Sequence, residues 1–268
     1  MKFSIAIPNS SLADEQTQRN KTKKISQIAR ACAIFQIHTI FIYEENKLYR
    51  TDCWFMIKIF RYIDTPQFLR KKLFSKEDEL KYAGITMPLK IPSHNTINKL
   101  QNIEPGNIKD GIIFNYHHKK FIDIGIGILK YFGKKPIGNR IQIQFKSNYP
   151  NLEYKEIDPK DIKEYWGYNI KTKKNLLEFL YSWKGDIILT SKKGNIATIQ
   201  QLQKYKEKNE ELLIVFGTIN KGLHEILGNK IYNIPNSKIL NFFPKQKTET
   251  VRLEEAIGGV LSILNIFN

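Results

Sequence analysis

The first 45 residues constrain this chain more than any other stretch. "KFSIAIP" (Lys2–Pro8) is short, apolar and stopped by proline, which predicts a strand. Ile25, Ile28, Ala29, Cys32 and Ala33 recur at helical spacing and predict an amphipathic helix through about Phe35. "TIFIYE" (Thr39–Glu44) reads as a second buried strand. A strand, a helix and a strand packed so closely form a βαβ unit, which implies a parallel sheet with a right-handed crossover. "CWFMIKIFRYI" (Cys53–Ile63) predicts another helix, ending before Pro66.

The texture changes after about Met87. Short alternating runs follow, "DGIIFNY", "KFIDIGIGILKYF" and "NRIQIQF", punctuated by Gly and Pro. They predict a small antiparallel β-barrel over residues 89–157, inserted into an α/β domain made of residues 1–88 and 158–268. The insert holds eleven Lys and Arg against five Asp and Glu, a net of +6. A basic barrel is a nucleic-acid platform in outline, and Tyr116, Phe121, Tyr131 and Phe132 are available either for stacking or for filling its core. The α/β pattern then returns. "NLLEFLYSW" and "IATIQQLQKY" predict helices, and "GDIILTS", "LLIVFG" and "KIYNIP" predict strands. Leu253, Ala256, Ile257, Val260, Leu261 and Leu264 share one face of a last helix.

Composition narrows the partners. A formal charge of +17 over 268 residues favours a polyanion, with RNA, DNA and anionic membrane as candidates. No stretch approaches the ~18–20 apolar residues of a membrane span. Met1 leads straight into a strand rather than a signal-like run, so a soluble, cytoplasmic protein without a membrane partner is expected. Cys32 and Cys53 make neither a disulfide framework nor a zinc site. The tandem His117–His118 lacks a third ligand nearby, which favours a surface or RNA contact over a metal.

Ligands of parallel sheets bind beyond the carboxyl ends of the strands. Three consecutive strand ends here carry polar or glycine-bearing loops: "ILTSKKGN", "IVFGTINKGLHE" and "IPNSKILNFFPKQKTETVRLEEA". Neither GxGxxG nor GxxxxGK[ST] occurs, which removes the main support for dinucleotide and P-loop readings.

Taken in order, "VFG…KGL" and "IPN…LNFFPKQKTETVRLEEAI" resemble the knotted region of the SPOUT methyltransferases. "SQIARACAIFQIHTIFIYEE", "DTPQFLRKKLF", "YAGITMPLKIPSH" and "EYWGYNI" are similar to signatures of one branch, the RNA methyltransferases with an inserted OB-like barrel. The match runs over nearly the whole chain. It implies a C-terminal trefoil knot, a homodimer and S-adenosylmethionine held by three knot loops. By resemblance, the cofactor contacts fall to Thr190, Ser191 and Gly194 in the first loop and Phe216, Gly217 and Gly222 in the second. The third loop supplies Asn241, Phe242, Gln246, Thr248 and Val251. Thr190 and Ser191 fit a simple Ser/Thr turn equally well.

"QIARACAIF" resembles the first motif of the ribose-methylating SPOUT branch, whose arginine reaches the partner subunit's active site, and that makes Arg30 a catalytic candidate. It lies away from the apolar face of its helix and can reach outward, as a solvated arginine also would. Gln27 stands where the ribose enzymes carry an asparagine nearby, a departure from the ribose pattern. Arg252 is the second catalytic candidate, for holding substrate or loop. Glu254 and Glu255 complement a helix N-terminus, and Thr250 is the expected N-cap. Gly258 and Gly259 would let another helix or backbone come close, as in a dimer.

The function so implied is methylation of structured RNA, with ribosomal RNA as the first substrate and a uridine ring nitrogen as the acceptor. Arginine methylation of a ribosomal protein and non-catalytic RNA scaffolding are the alternatives.

Overall fold

A computed structural model of the chain describes residues 2–94, 97–208, 211–218 and 220–266. In chain order, β1 (Lys2–Pro8), α1 (Gln18–Ile34), β2 (Ile37–Tyr43) and α2 (Arg50–Asp64) come first. Next are α3 (Gln67–Leu73), β3 (Ile108–Tyr116), β4 (Lys119–Asp123), β5 (Ile128–Lys130), β6 (Arg140–Phe145) and β7 (Tyr154–Ile157). The chain ends with β8 (Asn169–Lys173), α4 (Leu176–Ser182), β9 (Asp186–Ile196), α5 (Ile199–Lys208), β10 (Glu211–Val215), α6 (Leu223–Leu227), β11 (Ser237–Asn241) and α7 (Leu253–Asn265). These elements divide into two compact units.

The first unit comprises Met1–Arg61, Glu79–Met87 and Tyr168–Asn268. Its six strands lie in the order β11-β9-β10-β1-β2-β8, and every pairing is parallel. The mixed α/β class and the parallel sheet match what the opening βαβ unit predicts. The central strands are continuous apolar runs, as a sheet covered on both faces requires. Ile5, Ile7, Ile40, Ile187, Ile188, Leu213 and Ile214 are all buried. A core cluster on one side joins Phe41, Phe179, Leu189, Leu213, Leu223 and Ile231. Helices α1 and α7 pack together elsewhere in the unit.

One predicted strand is absent. "KIYNIP" begins inside a 3-10 helix spanning Gly228–Asn233. Gly228 ends α6 in the left-handed region at φ +56°, and the chain winds on so that Ile231 and Ile234, three residues apart, both enter the core. The edge strand is instead the next segment, β11. Sequence reading also passed over β8, a short and mostly polar edge strand with only Ile170 and Lys173 partly shielded.

The second unit comprises Tyr62–Asp78 and Pro88–Gly167. Its five antiparallel strands run in the order β5-β4-β3-β6-β7. The sheet curls until its two edges meet through side chains: the Tyr154 hydroxyl of β7 donates to the Lys130 carbonyl of β5. Lys135 also pairs with Glu156 at 3.0 Å. Ile113, Ile122, Ile141, Ile143 and Phe145 fill the inside. Tyr131 packs there too, so of the four aromatics considered for stacking this one is core. Arg140 clamps the unit, reaching Asp64 at 2.9 Å and the buried Asp110 at 2.8 Å.

Candidate functional site

A cleft of about 580 Å³ opens in the first unit where β1, β9, β10 and β11 end. This is the carboxyl edge of the parallel sheet, where ligands of such folds bind. The size suits a nucleoside-sized ligand.

The way the strands end shapes the cleft. Along β9 and β11 the pairing passes from Leu189–Ile239 directly to Asn195–Leu240. Residues 190–194 therefore bulge out of the ladder while β11 advances by a single residue. Gly194 closes the bulge: a Cβ there would lie 2.8 Å from the backbone carbonyl of Ile239. Inside the bulge, Thr190 donates its hydroxyl to the Val215 carbonyl at 2.8 Å, tying the β9 and β10 ends together. The Ser191 hydroxyl receives the Lys193 N–H at 3.1 Å and sits 3.1 Å from the His224 Nδ1.

After β10 the backbone turns through Phe216 and Gly217. Phe216 is held from both sides, its N–H bonding the Ala6 carbonyl at 2.9 Å. Its carbonyl accepts from the Tyr43 hydroxyl at 2.7 Å. Burial pushes the Tyr43 phenol well above its ordinary pKa, so the donor stays protonated. Gly217 has no room to spare, since a Cβ would meet the Lys221 carbonyl at 3.2 Å and the Leu223 nitrogen at 3.3 Å. Thr218 closes the loop by exchanging three hydrogen bonds with Lys221.

The segment after β11 forms the third wall. The Asn241 side chain spans two loops, donating to the Lys192 carbonyl at 3.0 Å and accepting from the Phe243 N–H at 2.9 Å. Gln246 donates to the carbonyls of Thr248 and Glu249 at 3.0 and 3.3 Å, which holds the loop in a closed curve. The N-cap of helix α7 is Arg252, not Thr250, and the Arg252 N–H donates to the Glu255 carboxylate at 3.0 Å. Glutamate three residues on supplies the half of a capping box that satisfies the N-cap N–H.

The cleft thus joins an apolar wall to a polar mouth. Phe216, Leu240, Phe242, Val251, Leu253 and Val260 supply the wall. Thr190, Ser191, Gly217, Gly222, Asn241, Gln246 and Arg252, all candidates from the sequence, also line it. Gly194, Thr248 and Arg30 do not. Gly194 instead faces the β11 backbone, and Thr248 contributes its carbonyl to the loop. Arg30 is half-buried on α1. Gly259 has an intrachain reason to be glycine, because a Cβ would run into the Phe243 ring at 2.6 Å.

Lys24 and Asp14 escaped sequence reading, and Glu254 has a partner beyond its own helix. Lys24, in a run of basic residues, is 1 % exposed. Its Nζ lies 2.6 and 2.7 Å from the two Asp14 oxygens and 3.4 Å from Glu254. Asp14 lines the cleft, and Glu254 belongs to the first turn of α7. One buried cation thereby joins the loop after β1, helix α1 and helix α7. Helical spacing was the available signal: Lys24 stands four residues before Ile28, on the apolar face. Among the described residues no His/Cys/Asp/Glu group is arranged to hold a metal ion, and no helix is long and apolar enough to cross a membrane.

The chain is similar to known proteins over nearly its whole length. A family described as "Putative RNA methyltransferase" matches residues 2–264. An uncharacterized protein of Halobacterium salinarum is 26% identical, with 99% of each chain covered. The 28S rRNA (uridine-N(3))-methyltransferase of Homo sapiens is 25% identical over 95% of this chain and 75% of its own. The Drosophila melanogaster protein of the same name is 24% identical over 98% of this chain and 61% of its own.

Proposed function

The chain belongs to this RNA methyltransferase family, and from that premise we propose that it transfers a methyl group from S-adenosylmethionine to a uridine ring nitrogen of ribosomal RNA. The observation that carries the reading is the cleft: three strand-end loops of a parallel sheet close around an apolar wall of nucleoside size.

The residues fit the cofactor. Phe216, Leu240, Phe242 and Val251 offer an adenine an apolar slot, and Gly217 lets the ligand approach the backbone closely. Thr190 and Tyr43 act one step removed, since their bonds fix the β10 end that carries Phe216 and Gly217. When bound, S-adenosylmethionine supplies an electrophilic methyl group whose transfer is an in-line displacement. The protein's main task is then to align donor and acceptor, worth up to ~7–11 kcal/mol in favourable cases. The uridine N3–H gives its proton to solvent water, the N3–methyl bond forms as the sulfonium–methyl bond breaks, the neutral thioether leaves, and a fixed cation lowers the free energy of the transient uridine anion. That role is assigned to Arg252, which lines the cleft together with Lys192 and Lys193. Arg30 is assigned to the cleft of a partner subunit in a homodimer.

We read the crossing of the last strand and its neighbours as the trefoil knot. Its support is the Lys192–Ala197 segment wrapped against Asn241, with α7 returning to pack on α1. The curled five-stranded sheet is taken as the OB-like RNA-binding insert, and the protein as cytoplasmic.

Titration calorimetry tests the cofactor site. S-adenosylmethionine binds the wild type at one site per chain, and Gly217→Trp abolishes the heat; its thermal midpoint falls, because the Lys221 and Leu223 backbone must give way, but stays above the temperature of the titration. Unchanged affinity in the variant puts the cofactor elsewhere, and a wild type that binds none refutes the reading.

A further inference from the structure

The outer face of the curled sheet carries a strip of rings that the methyl-transfer cleft does not use. Residues directly opposite in an antiparallel pair share a face, and faces alternate along a strand. Ile113 and Ile122 are such a pair and both lie in the core. The next pairs outward, Phe114 with Phe121 and then Tyr116 with Lys119, fall on the opposite, solvent side. The ring centroids of Phe114 and Phe121 are 5.9 Å apart, those of Phe121 and Tyr116 6.3 Å, and those of Tyr116 and His117 4.1 Å. Four rings therefore run without a break from the middle of the sheet to the tip of the β3–β4 hairpin. Lys119 and Lys130 flank them on the same face, Lys130 opposite Phe121. Tyr116 is 60% exposed.

The tip itself is strained. Tyr116 pairs with Lys119, so His117 and His118 alone make the turn, at φ +48° and +60°. Two consecutive left-handed residues define the turn for which Asn-Gly is the favoured pair, because a Cβ is penalised there. Two histidines accept that penalty here, and both are exposed. Residues held in this region cluster at ligand sites.

We propose that the strip from Phe114 to His117 is a stacking platform for a single-stranded RNA segment, with Lys119 and Lys130 meeting its phosphates. The inference rests on the RNA reading above and deepens it. Stacking suits this partner because every base presents a π-face, whereas the bases of a duplex spend theirs on one another. The charge agrees, since residues 89–157 carry eleven cationic against five anionic side chains. Such a platform adds affinity without selecting the nucleotide to be modified, a choice it leaves to the cleft.

The test is fluorescence anisotropy of the full chain with labelled oligouridine and with an RNA duplex of equal length, at one fixed salt concentration. The wild type is compared with Tyr116→Ala and with the double variant His117→Asn/His118→Gly. The platform requires tighter binding of the single strand and a loss of about ten-fold or more in Tyr116→Ala. The double variant relaxes the turn, so its thermal midpoint stays at or above that of wild type while its single-strand affinity falls. Wild-type affinity in either variant, or a preference for the duplex, overturns the platform and leaves the methyl-transfer reading standing. A wild type that binds neither RNA refutes the RNA substrate, and the platform with it.

Discussion

Lys24 is the side chain on which the edge of the cleft depends most. Desolvating an ammonium is unfavourable, and here Asp14 and Glu254 compensate it from two other segments. Replacing it with alanine leaves two carboxylates facing each other in a shielded space. We expect Lys24→Ala to lower stability by about 3–5 kcal/mol in urea unfolding and to loosen Asp14 at the cleft wall. A loss below about 1 kcal/mol would show that the three groups are solvated and not coupled. Gly194 makes the same point for backbone: with a Cβ 2.8 Å from the Ile239 carbonyl, Gly194→Ala forces β11 to shift. We expect it to cost about 1–3 kcal/mol and to weaken cofactor binding although Gly194 does not line the cleft. Both roles were only partly legible. A glycine in a loop after a strand signals some close approach, but sequence does not say whether to a ligand or to a neighbouring strand. A lysine in a basic run reads as surface until its helical phase is counted.

At the level of elements, the strands and helices that bury a regular apolar pattern were legible, and those held by turn geometry were not. The βαβ opening, the last helix and the alternating strands β3, β4 and β6 all announce themselves by period. "KIYNIP" is short, carries isoleucines and is stopped by proline like a strand, yet Ile231 and Ile234 stand three residues apart, the spacing of the winding that the glycine turn before it begins. The 3-10 turn Pro92–His94 in the second unit has a titratable anchor. The His94 Nε2 lies 2.9 Å from the Asp64 carbonyl, and burial pushes the imidazole below its ordinary pKa of about 6.5. The unfolded chain then binds a proton that the folded one refuses, so stability rises with pH through this window. The contribution is complete above about pH 6.5 and is lost as pH falls toward the folded value. Urea midpoints at pH 7.5 and 5.5 should therefore differ more for wild type than for His94→Gln. An equal difference in both would remove His94 from the account. Arg140 is the other anchor of this unit, and Arg140→Ala, which strands the buried Asp110, is expected to cost about 3–5 kcal/mol.

For the whole molecule, a charge of +17 pointed to a polyanion before any motif was read, and membership of an RNA methyltransferase family agrees with it. Phosphate contacts release counterions, so RNA affinity should fall by orders of magnitude between 50 and 200 mM salt if six or more are made. A flat salt response would mean that the charge is not used for RNA. Strand ends and the rule for parallel sheets located three loops in a row, and that they hold one cofactor was legible only because their order resembles a known family. That the loops converge on one wall is a property of parallel strands ending at the same edge, which a linear reading does not display. The most direct test of methyl transfer is to incubate the protein with methyl-labelled S-adenosylmethionine and ribosomes that lack the modification, and to digest the RNA to nucleosides for mass spectrometry. The account predicts label in 3-methyluridine of ribosomal RNA, lost in Arg252→Ala. Label in ribosomal protein, in ribose, or in no product at all would contradict it.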